Sequence, residues 1–167
     1  MRDRTKSGDN PSAVIDPGLG NVLFEVWLVS RAVHALIDET IEPTGLDADE
    51  FAIYSLLASS ATTTPTDLAQ WMAAPATTVS SYVKRFEKRG HVKRFANPDD
   101  GRSYLIKLTA AGRRIHREAG DLYRPILADV EQRLGRGTDQ THRRLAALHE
   151  VVDAVQKRRP EQSGAAR

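Results

Sequence analysis

Apolar residues recur along this chain with two different periods, and the change of period marks out its elements. From Leu19, the positions Val22, Leu23, Val26, Val29, Val33, Leu36, Ile37 and Ile41 follow helical spacing, which predicts a long amphipathic helix stopped by Glu42-Pro43-Thr44-Gly45. Its polar face is acidic, with Arg31 as the only strong base. A second helix restarts at "LDADEFAIYSLLASS", with Asp47 as N-cap and Glu50 three residues on in a capping-box pattern. A third follows in "TTTPTDLAQWMA": Thr64 caps, Pro65 takes the first turn where its missing N–H costs nothing, and Asp67 closes the box.

The fourth helix is expected in "APATTVSSYVKRFEKRG", opened by Pro75 and ended by Gly90 in a left-handed cap. Val79, Val83 and Phe86 form its apolar stripe, with Tyr82 at the edge. Then the period shortens. "HVKRF" and "SYLIKL" carry β-branched and aromatic residues around Asn97-Pro98-Asp99-Asp100-Gly101, a run of turn formers, and together predict a hairpin. Helical spacing returns at Ile115, Leu122, Ile126, Val130 and Leu134, with a bend expected at Pro125. In a last helix Leu145, Leu148, Val152 and Val155 are expected to face inward. The chain therefore reads as mainly α, an α+β winged helix: six helices with a two-stranded β-wing. Residues 1–15 and 158–167 read as disordered tails around a single domain at 16–157. Within it, 46–112 form a winged helix-turn-helix lobe, and 16–45 and 113–157 are dimerisation helices. There are no internal repeats.

Charge sharpens this picture. The 167 residues carry a net charge of only +2. Yet Lys84 to Arg114 holds ten Lys/Arg against three acids, a local +7, and the rest holds fourteen against nineteen, −5. Such segregation is the footprint of a polyanion-binding surface. The absence of cysteine excludes disulfides, thiolate metal sites and thiol redox sensing. The longest apolar run, Phe51 to Ala58, is too short to span a bilayer, and the polar N-terminus shows no signal peptide, so a cytoplasmic protein with no membrane partner is expected.

The third and fourth helices, joined around "MAAP", make a helix-turn-helix, and the hairpin makes its wing. Short polar side chains at the start of the second helix let its backbone approach base edges in a major groove, while longer cations reach phosphates. Pro75, Ala76, Thr77, Thr78, Ser80 and Ser81 are the candidates for the first role. Lys84 and Arg85 are candidates for the second, with Arg94 in the same basic set. At the wing tip Arg102 can enter the neighbouring minor groove, and Asp100 is placed to hold its guanidinium by a charge-assisted pair.

These residues carry a resemblance. "PTDLAQWM" (65–72) with "VSSYVKRFEKRGHVKRFANPDDGRSYLIKLTAAG" (79–112) resembles the MarR (multiple antibiotic resistance regulator) family. Asp100 and Arg102 of the wing, Leu108, Thr109 and Gly112 after it, and the step from Glu87 to Arg94 all match, and the similarity extends over roughly residues 17–155. Phe86 departs from the family's usual leucine. The resemblance implies an obligate homodimer joined through first and last helices, with repression relieved by a small ligand; the lack of cysteine sets the chain apart from the hydroperoxide-sensing branch. The dimer also follows from the terminal apolar stripes, which are longer than a small winged-helix core can cover.

The resemblance places effectors between the dimerisation helices and the DNA-binding lobe. On the first helix Trp27, Ser30, Arg31 and His34 share a face at i, i+3, i+4 and i+7 and are the candidate lining for an aromatic or phenolic ligand. No H-E-x-x-H, G-x-S-x-G, P-loop or Rossmann glycine pattern is present, and the five histidines lack metal-ligand spacing. The expectation is a non-enzyme without cofactor or metal. The alternative is a protein-interaction or architectural winged helix without ligand response, which has no need of an exposed arginine tip beside a basic helix face.

Overall fold

A computed structural model of the chain describes residues 20–60 and 62–163. The expected N-terminal tail and the Leu19 start of the first helix lie outside those residues. The elements run α1 (Val22–Ile41), α2 (Ala48–Ser59), α3 (Pro65–Trp71), α4 (Ala76–Lys88), β1 (Val92–Ala96), β2 (Tyr104–Leu108), α5 (Ala110–Leu134) and α6 (Thr138–Ser163), with one-turn 3₁₀ helices at Glu42–Thr44 and Gly135–Gly137. The chain divides into two compact units at Gly120/Asp121.

Local chemistry sets the boundaries in the first unit. Asn21 caps α1 by accepting from the N–H groups of Leu23 and Phe24. Thr64 and Asp67 close a full capping box on α3, with Pro65 in the first turn. α4 ends at Gly90, whose φ of 72° allows the His91 N–H to reach back to the Phe86 carbonyl. β1 and β2 pair antiparallel from Val92↔Leu108 at the root to Ala96↔Tyr104 near the tip, and Ile106 also donates to the Thr63 carbonyl at 2.7 Å. That bridge ties the wing to the strand-like residue ahead of α3. Gly112 lets α5 lie against the wing root: a Cβ there would clash with the His91 carbonyl oxygen.

The core lies in this unit. Ile53, Tyr54 and Leu57 of α2 meet Leu68 of α3, the Val79–Val83–Phe86 stripe of α4, and Val92, Ile106 and Leu108 of the wing; all are buried. The Tyr54 ring meets Phe86 edge-on at 4.8 Å between centroids. On α1 only Ile41 is buried, and Val22, Leu23, Trp27 and Val29 are each more than half exposed.

The second unit is different. No described residue from Asp121 onward is buried. Leu148 and Val152 are half-buried, but Leu145 and Val155 stay exposed where inward packing was expected. Two helical stretches offer too little facing surface to cover both stripes. Pro125 lies inside α5 and removes one backbone donor, but the helix does not end there. α6 continues to Ser163, so the tail expected from residue 158 is helical over its first six positions. Each residue added to a formed helix gains a hydrogen bond, and the Lys157–Asp153 pair at 2.6 Å supports the preceding turn.

Candidate nucleic-acid interface

The helix-turn-helix is built on a sharp turn. Met72 ends α3, and Ala73 takes φ 46°, a left-handed conformation uncommon for a residue with a side chain. α4 then starts after Pro75. Val79, Val83 and Phe86 are completely buried, so the opposite face must look outward. Pro75, Ala76, Thr77, Thr78, Ser80, Ser81, Lys84, Arg85 and Lys88 are all exposed. Ser81 Oγ donates to the Thr77 carbonyl at 3.0 Å, leaving its oxygen lone pairs free to accept. Thr78, Ser81, Tyr82 and Arg85 line a shallow cavity of about 340 Å³ on this face.

Arg85 has a second attachment that local sequence did not reveal. Glu50 of α2, 1% exposed, takes Arg85 Nε at 2.9 Å on Oε1 and Arg89 Nη1 at 2.7 Å on Oε2. Oε1 nonetheless counts among the unsatisfied buried acceptors, so the Arg85 contact is a charge pairing off the N–H axis and the Arg89 contact is the aligned hydrogen bond. The Asp47–Glu50 capping box is accordingly half-formed. Asp47 accepts from the Glu50 N–H at 2.7 Å, but the Glu50 carboxylate turns inward to the arginines. The signal available in the sequence was Arg85 and Arg89 at i, i+4 over an acid on a mostly apolar helix.

Beside Glu50, burial pushes the Tyr54 phenol up to about 12, with the Glu50 charge acting the same way. The phenol and His91 Nδ1 share a hydrogen bond of 2.9 Å. His91 is held below the usual imidazole range, first by burial and then by the Arg89 charge. A second polar bridge runs through Asp49, which meets His34 of α1 at 3.0 Å and accepts from the Tyr82 hydroxyl of α4 at 3.1 Å. α4 is thereby held to α2 at both Tyr82 and Arg85/Arg89.

On the wing, Arg94 pairs with Glu87 at 2.6 Å and lies over the Tyr104 ring at 4.5 Å. At the tip Asp100 Oδ1 accepts from the backbone N–H of Arg102 at 2.9 Å, and its carbonyl accepts from Ser103. The expected Asp100–Arg102 side-chain pair is therefore replaced by a backbone Asx contact. A carboxylate two residues upstream in a tight turn reaches the nearer amide before the distant guanidinium. Among the described residues no ion pair engages the exposed Arg102 side chain.

The four α1 candidates are exposed or half-buried. Trp27 is 55% exposed and stacks on Phe24 at 5.7 Å. Ser30 donates to the Trp27 carbonyl, Arg31 is exposed, and His34 is engaged by Asp49. Among the described residues no group of three or more acids, histidines or cysteines is placed to hold a metal, and no helix is long and apolar enough to cross a membrane.

A hairpin wing directly after a helix-turn-helix, with the buried α4 stripe locking the two, is a winged helix. Residues 46–104 match the MarR family model. Over these residues the chain is a winged helix similar to the MarR family. An HTH-type transcriptional repressor of Mycobacterium tuberculosis is 29% identical over 119 residues, covering 71% of this chain and 84% of that protein. The fold also superposes on M. tuberculosis transcriptional regulator MosR crystallised with DNA, with a TM-score of 0.71, 24% identity, and coverage of 81% and 98% of the two chains. NadR in complex with 4-hydroxyphenylacetate superposes with a TM-score of 0.69 at 22% identity, covering 88% and 96%. The MarR-matched segment contains α2 through the start of β2, and with it the exposed α4 face and the wing tip.

Proposed function

We propose that this chain is a cytoplasmic transcriptional repressor that binds a pseudo-palindromic duplex operator as a homodimer and is released by a small aromatic or phenolic ligand. The observation that carries the reading is the exposed α4 face: hydroxyls at Thr77, Thr78, Ser80 and Ser81, cations at Lys84 and Lys88, and beside them a wing tip whose Arg102 guanidinium has no acidic partner among the described residues. Hydroxyls at the helix start read base edges and cations further along take phosphates. Arg102 enters the minor groove, where the potential of narrow A·T-rich stretches is most negative. Asp100 serves that contact by shaping the turn. Pro75 and Ala76 bring the α4 backbone close to the duplex. Arg85 and Arg94 are partly neutralised by Glu50 and Glu87 and contribute less than their charge suggests.

The exposed apolar residues on α1 and on α5–α6 support a second copy as their cover. Dimer symmetry then sets half-sites about one helical turn, roughly 34 Å, apart. Ligand release rests on the likeness to a fold crystallised with 4-hydroxyphenylacetate, with Trp27, Ser30, Arg31 and His34 as the candidate lining.

Genomic footprinting supplies the bound sites, and a mobility-shift titration on one of them tests the reading. Arg102→Ala weakens binding by about 1–3 kcal/mol without loss of folding, because an exposed tip contact disappears. Thr78→Ala changes sequence preference, whereas Lys84→Ala mainly reduces the salt slope, which for about ten phosphates is near −9 in log K against log salt. Equal affinity of the Arg102→Ala variant and the parent removes the wing from the interface.

A further inference from the structure

From Pro75 to Ser81 the leading end of α4 carries no arginine, lysine, asparagine or glutamine. Those are the side chains whose paired or charged donors read guanine and adenine edges in a major groove. The two guanidiniums further along the helix are committed elsewhere: Arg85 Nε and Arg89 Nη1 lie 2.9 and 2.7 Å from the Glu50 carboxylate. Arg85 also lies over the Tyr82 ring, 4.8 Å from its centroid. Lys84, the first cation, stands about 12 Å along the axis from Ala76, past the N-terminal turns that touch base edges. Ser81 is restricted too. Its hydroxyl proton goes to the Thr77 carbonyl at 3.0 Å, so its oxygen is left to accept and cannot donate to guanine O6 or N7. What remains at the leading end is methyl surface. At about 100° per residue, Thr77 lies nearly opposite the buried Val79–Val83–Phe86 stripe, and it is exposed.

We propose, on the duplex-binding reading above, that α4 recognises thymine by its C5 methyl group, with Thr77 as the residue that sets the preference. That methyl is the apolar feature of a major groove, and it marks one base among the four. Packing the Thr77 Cγ2 methyl against it takes both out of water, and the other three bases offer no counterpart. Ala76 and Thr78, exposed on either side of Thr77 in the chain, widen the same contact. One buried methyl is worth roughly three- to fourfold in affinity, so the preference is built from more than one thymine in a half-site. Glu50 takes part at a distance. By holding Arg85 and Arg89 it withdraws the side chains that would otherwise compete for guanine.

The probe is a duplex carrying one footprinted site, titrated by fluorescence anisotropy with each thymine replaced in turn by deoxyuridine. That exchange deletes a single methyl and keeps every hydrogen-bonding group of the base. At one or more thymines in each half-site the parent loses roughly threefold or more in affinity. Replacing each guanine by 7-deazaguanine, which lacks the N7 acceptor, leaves affinity within about twofold. Two variants at the exposed Thr77 then place the contact. Thr77→Ser, which removes only the side-chain methyl, binds the thymine duplex as weakly as the parent binds the deoxyuridine duplex and no longer distinguishes the two. Thr77→Val, which keeps the methyl and removes the hydroxyl, still distinguishes them. Neither variant shifts the melting temperature. A parent indifferent to deoxyuridine at every position, a larger loss with 7-deazaguanine, or a Thr77→Ser variant that keeps the parent's discrimination overturns the assignment while duplex binding itself stands. A parent that binds no footprinted duplex overturns the DNA reading and the thymine contact together.

Discussion

Among the described residues, fifteen hydrophobic side chains are buried up to Gly120 and none from Asp121 to Arg158. The two units do not differ in apolar content alone, since Leu122, Leu127, Val130, Leu134, Leu145, Val151 and Val155 stand on the second and are all exposed. They differ in partners within one chain. The lobe has helices, a strand bridge and a wing converging on Tyr54 and Phe86. The C-terminal helices have a stripe and too little to face it. Exposed apolar residues on the C-terminal helices, and along α1 of the first unit, are what the proposed second copy would cover. The α4 surface, by contrast, is mounted directly on the buried core.

The sharpest way to break that contrast is to open the lobe. Gly112→Ala places a Cβ against the His91 carbonyl, a backbone atom that cannot swing away, and is expected to cost about 3 kcal/mol or more in urea unfolding. Glu50→Ala follows at about 2 kcal/mol: it strands two guanidiniums, but both are more than a third exposed, so water recovers part of the loss. If Glu50→Ala melts with the parent, the ion-pair mount is ornamental. On the open unit the effect should appear in assembly. Leu145→Glu raises the dimer dissociation constant about tenfold or more, roughly 1.4 kcal/mol, in sedimentation equilibrium, with the lobe's unfolding unchanged. A parent chain that sediments as a monomer at all concentrations removes the second copy altogether.

The smallest effect is in pH. His91 and His116 both sit below the ordinary imidazole range, burial being the first cause, joined by Arg89 for one and Arg117 for the other. Between that ordinary value, about 6.5, and the lower folded values the unfolded chain binds more protons than the folded one. Stability is thus complete above about pH 6.5 and is lost as the pH falls through that window. The melting temperature drops between about pH 7.5 and 5.5, and His116→Gln makes the drop shallower. A flat profile would show that neither imidazole resists protonation in the fold.

Several elements follow from local pattern alone. The Thr64–Asp67 box, the Gly90 cap, the Val79–Val83–Phe86 stripe and the hairpin each depend on residues within a few positions of one another. What local pattern missed spans distance. Glu50 meets Arg89 across 39 positions, His91 meets Tyr54 across 37, and Thr63 extends the wing by pairing with Ile106. No periodicity encodes such meetings. Glu50 looked like a capping residue because capping is what its neighbours could supply. Asp100 looked like a partner for a guanidinium because charge was counted before reach. The exposed positions on α4 were legible because a fully buried stripe leaves its opposite face no other place to go.

The anchoring of α4 at Glu50 has a consequence for how target preference can change. A helix bolted at its far end to the chassis pivots little, so under the proposed function a new operator is not met by tilting it. On the proposed reading, drift in preference comes through the short side chains at its leading end, from Thr77 to Ser81, one letter at a time.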